Sequence, residues 1–310
     1  MSLKRKNRIS LNLGGGAARG FAHIGVIRAL NEEKIPYDMI IGVSMGAVVG
    51  SIYCENPDIE NLEKVGLKIV EAEKFKESIL GSWHKDSSQS ARNILKILNS
   101  LYKKTGIIGK ILLSTGILND EDIEELLGCF IPDISFEKMK FPFACVGVCL
   151  EEGETRIFNK GSVKDAVLAS ASLPLVFPPK EIDGLNYIDG GVIDKVAIDA
   201  SEELNIDFTI VSDVSNENIK KPIIRNGLDI MFFIEETASK YRKKRQLEKA
   251  TVIIKPVHKD IHWSDYSSSK ELIESGYETT RKQIEEIRHK LNLKNPFKKW
   301  FFLERRKLKS

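Results

Sequence analysis

Long apolar runs are missing from this chain of 310 residues. No stretch approaches the ~18 apolar residues that a bilayer-spanning helix needs, which argues against a helical membrane protein. The basic opening, MSLKRKNRIS, has no apolar segment behind it and does not read as a signal peptide. Cysteine is scarce. Cys54, Cys129, Cys145 and Cys149 form no Cys-x-x-Cys pair, so buried reduced thiols are expected rather than disulfides or a metal site. Net charge is nearly absent as well: 47 Lys and Arg against 44 Asp and Glu leave +3, too little for nucleic-acid binding by the whole domain. No metal cluster is visible, and no cofactor is expected. With 42% apolar and 29% charged residues the chain reads as globular, and a cytoplasmic location is the default expectation.

Two nucleotide fingerprints are also lacking. The segment LNLGGGAARGFAHIGV, residues 11–26, sets a glycine loop between an apolar run and a helical pattern. Counted as a dinucleotide fingerprint it fails, because from Gly14 and Gly16 the third glycine position falls on Arg19, and from Gly15 the second falls on Ala17. The next strand also lacks the terminal acid that would hold a ribose. A P-loop fails too, for want of Gly-Lys-Ser/Thr. What remains is a row of backbone N–H groups at a helix start, an anion nest suited to a phosphate or to a transient oxyanion.

What is present has a regular order. Ile9–Leu13 reads as a buried strand, about 19–33 as a helix, and Met39–Val43 as a second strand. Ser44 follows at once and opens a helix of small residues. Strand, glycine loop, helix, strand, sharp turn, helix is the opening of a parallel α/β sheet. FPFACVGVCL and TRIFN read as strands joined by EEGE, with Cys145 and Cys149 on one face. GSVKDAVLASAS starts a helix capped by Ser162. Asp183 reads as a hairpin turn. A helix near 198–204, strand FTIVSD, a helix near 228–246, strand TVIIKP and a helix near 270–289 continue the sheet. The stretch ARNILKILNSLYKK, residues 91–104, is amphipathic, either core or part of a lid. No internal repeat is found, and one α/β domain is expected. The tail 294–310 mixes cations with Phe297, Trp300, Phe301, Phe302 and Leu303, a composition suited to peripheral contact with an anionic membrane, such as an inner membrane face.

The chemistry centres on Gly42-Val43-Ser44-Met45-Gly46, a GxSxG. A nucleophilic serine must leave its strand on a tight turn, with glycines two before and two after making room for neighbouring backbone. The following helix points its positive end at Ser44. A base is then needed. His258 or His262 would copy the chain order of a Ser-Asp-His hydrolase, whereas His23, His84 and His289 suit structural or surface roles. NYIDGGVID offers a different partner, Asp189, at a strand end before Gly190 and Gly191, with Asp194 as an alternative acid.

GGGAARGFAHIGV, GVSMG, ASASLPLVFPP and IDGG, in that order and spacing, resemble the patatin-like phospholipase family, in particular its small bacterial members. The likeness covers roughly 9–213, with a variable insert near 80–118. It implies a three-layer α/β/α sandwich with a mainly parallel sheet and a Ser–Asp dyad without histidine. Ser44 would be nucleophile and Asp189 base. Gly14, Gly15, Gly16 and Ala17 would form an oxyanion hole from their N–H groups, with Arg19 fixing the loop. Gly20, Gly42, Gly46, Gly190 and Gly191 would support the motifs. ASASLPLVFPP, residues 169–179, would pack near the site without entering the chemistry. The sequence departs from the family after Asp-Gly-Gly, with Val192-Ile193-Asp194-Lys195-Val196-Ala197 where members often carry asparagines and proline. That change bears on how the Asp189 loop is held. The implied activity is hydrolysis of lipid acyl esters through an acyl-enzyme. The alternatives are a binding or regulatory protein of the same fold with little turnover, and a nucleotide-binding protein. The expected organisation is a catalytic region at 9–213, an extension of the same domain at 214–293 and the tail.

Overall fold

A computed structural model of the chain describes residues 7–71, 115–116, 119–215, 227–257, 261 and 265–293. The amphipathic stretch 91–104, the tail 294–310, and His84, His258 and His262 lie outside the described residues.

The apolar runs form the strands β1 (Ile9–Leu13), β2 (Met39–Gly42), β3 (Phe143–Cys149), β4 (Glu154–Phe158), β5 (Lys180–Ile182), β6 (Leu185–Asp189), β7 (Phe208–Ser212) and β8 (Val252–Ile254). They make one sheet in the order β5-β6-β3-β2-β1-β7-β8, with β4 beside β3. The five strands β3-β2-β1-β7-β8 are parallel. Pairing to β4 and β6 is antiparallel. Asp183 and Gly184, with φ of 51° and 79°, turn β5 into β6 as the sequence suggested.

The helices are α1 (Ala22–Glu32), α2 (Met45–Glu55), α3 (Ile59–Glu71), α4 (Val163–Ala171), α5 (Ile198–Glu203), α6 (Gly227–Leu247) and α7 (Ser269–Lys290). One face of the sheet presents Ile9, Leu11, Leu13, Ile40, Phe143, Cys145 and Ile210, which pack on residues of α1, α2, α3, α4 and α7. The other presents Met39, Ile41, Ala144 and Val146 toward Ala197 and Ala200 of the α5 region. This is a three-layer α/β/α arrangement, thick on one face and thin on the other. Helices α1 and α7 touch backbone to backbone. A Cβ on Gly25 would meet the Ile273 carbonyl oxygen at 1.8 Å, and one on Gly276 the Ala22 oxygen at 2.0 Å.

Two details differ from the sequence reading. The first helix begins as a 3₁₀ turn, Ala17–Phe21, and becomes α-helical only at Ala22. Cys54, Cys145 and Cys149 are buried free thiols as expected, but Cys129 is exposed, because it follows the last turn of the helix that begins at Asp120.

Two features of the sheet position the site. β1 is the switch point, with β2 on one side and β7 on the other, so the loop leaving its carboxyl end opens into the crevice where α/β sheets place ligands. β3 is paired with β4 along one edge, Cys145 facing Phe158 and Gly147 facing Arg156. Its other edge is shared. Cys145 faces Gly42 of β2, and Gly147 faces Asp189 of β6 running the opposite way. The carboxyl ends of β2 and β6 therefore run toward each other and meet beside Val146.

Candidate active site

Ser44 sits where β2 hands over to α2, with φ 55° and ψ −125°. A non-glycine residue in that region is strained, and the surrounding contacts must hold it. Glycine is required on both sides: a Cβ on Gly42 would lie 2.5 Å from Ala47 Cα, and one on Gly46 would lie 2.1 Å from the Leu13 carbonyl oxygen. The Ser44 N–H donates to Ser170 Oγ at 3.0 Å, and that hydroxyl donates to the Val146 carbonyl at 2.7 Å. Ser170 is buried near the end of α4. Two residues on, the Ser172 carbonyl accepts the Asp189 N–H at 3.0 Å. The end of α4 thus ties both carboxyl-end residues to the same point on β3. The family resemblance placed ASASLPLVFPP near the site but gave Ser170 no role. The alternation of small residues was the only local signal for it.

Asp189 is 4% exposed. Its carboxylate accepts the Gly191 N–H at 2.7 Å and lies near enough to the Ser44 side chain for that side chain to favour its charged form. Burial pushes its pKa from 3.8 up to about 6, against the opposing pull of Ser44, Gly191 and the Lys195 charge. Gly190 lets the chain cross β3, since a Cβ there would strike the Val146 carbonyl oxygen at 2.2 Å. Asp194, the alternative acid, turns elsewhere. It accepts the N–H groups of Val196, Ile198 and Asp199, and so caps α5. Its pKa is also raised to about 6, by burial and then by Asp199.

The glycine loop lies against Ser44: a Cβ on Gly15 would be 3.3 Å from Ser44 Cβ. Its N–H groups are not equivalent. Gly14 donates to the Ser212 carbonyl at 3.1 Å and Gly15 to the Lys195 carbonyl at 3.0 Å. These two donors are engaged in holding the loop to β7 and to the Asp189 loop. This narrows the expected row of four, because an N–H already paired inside the fold is not free for a ligand. The N–H groups of Gly16 and Ala17 have no hydrogen-bond partner among the described residues. Gly16 passes close to Val214 and Gly20 close to Met45, each within 2.5 Å of where a Cβ would stand. Arg19 lies in the 3₁₀ turn, part-buried, its N–H donating to the Gly16 carbonyl at 3.1 Å.

His23 is not near a proton-transfer position. It is fully buried, with Nε2 2.8 Å from the Gly14 carbonyl oxygen and Nδ1 2.8 Å from Ser212 Oγ. A carbonyl can only accept, so Nε2 carries the hydrogen and Nδ1 accepts from Ser212. Burial lowers its pKa to about 4, which keeps the ring neutral. Its role is to hold the loop carbonyl. His289 is exposed near the end of α7.

Above Ser44 a cavity of about 50 Å³ is lined by Ala17, Met45, Val48, Leu127, Ala171, Leu173, Val176, Phe177 and Tyr266. Apart from Ser44 and the Tyr266 hydroxyl the lining is apolar. Among the described residues no cluster suits a metal ion, and no helix is long and apolar enough to cross a membrane.

A family model described as patatin-like phospholipase matches residues 11–201. An uncharacterised NTE family protein of Mycobacterium tuberculosis is 32% identical over 203 residues, 66% of this chain and 48% of that one. Neuropathy target esterase sws of Drosophila melanogaster is 29% identical over 214 residues, 68% of this chain and 13% of that one. Among solved structures, VipD of Legionella pneumophila aligns over 90% of this chain and 67% of that one, at 15% identity and a TM-score of 0.45. This chain spans about half the length of the mycobacterial relatives it matches, and far less of the animal one.

Proposed function

This chain belongs to the patatin-like phospholipase family, and we propose that it is a serine hydrolase of lipid acyl esters. In this reading Ser44 is the nucleophile, Asp189 the base, and the Gly16 and Ala17 N–H groups the oxyanion donors. The observation that carries it is a part-exposed Ser44 on a strained strand-to-helix turn, at the foot of an apolar cavity and beside the buried Asp189 carboxylate, which its side chain helps to keep charged.

The chemistry follows from that arrangement. Ser44 Oγ attacks the ester carbonyl carbon while its proton passes to the Asp189 carboxylate. The carbonyl electron pair moves onto oxygen, and the oxyanion faces Gly16 and Ala17. Collapse expels the alcohol, which takes the proton from Asp189, and leaves an acyl-serine. Water then attacks the acyl-serine, losing its proton to Asp189; the acyl–Oγ bond breaks, Ser44 Oγ takes that proton back from Asp189, and the fatty acid departs. An ordinary aspartate is a weak base for serine. A pKa of about 6 brings it closer to the task, and the backbone donors supply the rest by stabilising charge that exists only in the transition state. The apolar lining suits an acyl chain.

The test is a fluorophosphonate probe, which traps an activated serine. Labelling at Ser44 that vanishes in Ser44→Ala, with hydrolysis of a phospholipid and a short-chain ester vanishing alongside, is the expected result. A folded protein that takes no label and hydrolyses neither ester would refute the reading and leave the non-catalytic alternative.

A further inference from the structure

Helix α6 carries both polar residues on its inner side and apolar residues on its outer side. Among its described residues Ser239, Lys243 and Gln246 are buried and Leu247 packs on the core, while Ile230, Ile234 and Tyr241 are 44%, 59% and 62% exposed. At 100° per residue those three fall within about 40° of one another, so they share one narrow outer face, on which Thr237 stands between Ile234 and Tyr241. Lys244 and Arg245 follow on either side of that face, and both are exposed. The run Lys240-Tyr241-Arg242-Lys243-Lys244-Arg245 holds five cations in six residues.

The described hydrogen bonds that attach the helix lie toward its carboxyl end. Among the described residues, every hydrogen bond from α6 to another element starts at Arg242 or later. Arg242 donates to the Val192 carbonyl at 3.1 Å, Lys243 to Asp213 at 2.9 Å, and Gln246 to Asp199 at 2.8 Å. Lys240 pairs within the helix, to Glu236. Asp213 stands just past the carboxyl end of β7, the edge of the sheet that also carries Ser44 and the glycine loop. Ile234 and Ile230 lie nine and thirteen residues before Lys243, so they stand about 14–20 Å further along the helix. The chain leaves β7 at its carboxyl end and returns to the amino end of β8, so that direction points away from the body on the active-site side. Leu175, beside the cavity-lining residues Leu173, Val176 and Phe177, is exposed on the same side.

We propose that the outer face of α6 docks the protein onto an anionic lipid surface. Ile230 and Ile234 enter the acyl boundary, Tyr241 sits at headgroup level, and Lys244 and Arg245 meet the lipid phosphates. Charge complementarity selects an anionic bilayer over a second copy of the chain, whose own cations would meet these head-on. The proposal rests on the reading that Ser44 acts on lipid esters, since it supplies the surface on which that substrate lies.

The experiment is vesicle flotation of full-length Ser44→Ala protein, in which binding needs no turnover. Vesicles are phosphatidylcholine alone, or phosphatidylcholine mixed equally with phosphatidylglycerol. Binding to the mixed vesicles is expected, falling as salt rises. Ile230→Ser with Ile234→Ser should weaken it about 10- to 100-fold. Lys244→Gln with Arg245→Gln should abolish the preference for the anionic mixture, and Ile234→Trp should bind no more weakly than the parent. In the otherwise wild-type enzyme, the isoleucine pair should leave hydrolysis of a soluble short-chain ester unchanged. Failure of the parent to float with the mixed vesicles, undiminished flotation of the isoleucine variant, or conversion of a dimer to a monomer by that variant in sedimentation would each overturn the proposal. Flotation of a protein whose Ser44 takes no fluorophosphonate would support docking while refuting the hydrolase reading, so the two failures are separable.

Discussion

Replacing Asp189 with asparagine should remove activity and strengthen the fold, and the two effects should share one pH dependence. Burial raises the Asp189 pKa from 3.8 to about 6, so the native state resists forming the carboxylate that the proposed reaction needs. A group whose folded pKa is raised contributes most to stability below its unfolded pKa, here 3.8. That contribution is lost as pH rises through about 6. At roughly 1.4 kcal/mol per pKa unit, the charged side chain costs the fold about 3 kcal/mol at pH 8. Asparagine keeps an oxygen for the Gly191 N–H but gives Lys195 no counter-charge, so a gain of roughly 1–3 kcal/mol is expected, a rise of a few degrees in melting temperature. At pH 4 wild-type Asp189 is protonated and the difference should vanish. Asp194 titrates near the same pH in both proteins and cancels in the comparison. The wild-type enzyme should show kcat/KM for a soluble ester rising with a midpoint near pH 6, to about a tenth of its plateau at pH 5. The assays are thermal unfolding of both proteins at pH 4 and pH 8, and pH–rate profiles. A variant that melts lower than wild type at pH 8, or a rate flat from pH 5 to pH 8, would refute the reasoning.

Two substitutions test how the site is held rather than what reacts. Ser170→Ala leaves the Ser44 N–H and the Val146 carbonyl without their partner. The expected cost is about 2 kcal/mol of stability and a fall of roughly 10- to 100-fold in fluorophosphonate labelling rate, read by unfolding and by time-resolved labelling. His23→Leu strips partners from the Gly14 carbonyl and Ser212. It should destabilise the protein by about 2–4 kcal/mol and slow labelling, and His23→Gln, whose amide reaches the same carbonyl with a donor, should recover part of both. Equal labelling rates in His23→Leu and wild type would show that the loop is held without it.

Local pattern carried a good part of the architecture. The strand, glycine loop, helix, strand and serine turn of the first fifty residues are set by neighbours in sequence: apolar runs, glycines at close approaches, a serine at a strand end. Their reading and their structure agree to within a few residues. The Asp183 turn was legible for the same reason. Cys129 was not, because nothing in EELLGCF says on which side of a helix end the thiol emerges. The meeting of β2 and β6 on one edge of β3 was also beyond reach, since it depends on β3 being long enough to pair with both. The polarity of α6 escaped for a related cause. Its sequence alternates apolar and charged residues well enough to read as a helix, but only the partners Asp213 and Asp199 show that Lys243 and Gln246 point inward.

The glycine loop shows where residue type stops being informative. Bareness alone suggests four equivalent donors, yet each glycine is bare for a different reason. Gly14 has no side chain because the Lys195 and Ser212 carbonyls lie 3.0 and 3.2 Å from where a Cβ would stand, and Gly15 because Ser44 does. Both then turn their N–H groups to the fold, joining β1 to β7 and to the loop that carries Asp189. Those two bonds fix the spacing between the glycine loop and the acid. With that spacing fixed, Gly16 and Ala17 can present donors beside Ser44. A loop whose four N–H groups all faced a ligand would lack this attachment, and its donors would have to be organised anew at each turnover. Preorganised donors avoid that reorganisation, so in the proposed mechanism the engaged half of the motif is a condition for the free half to act.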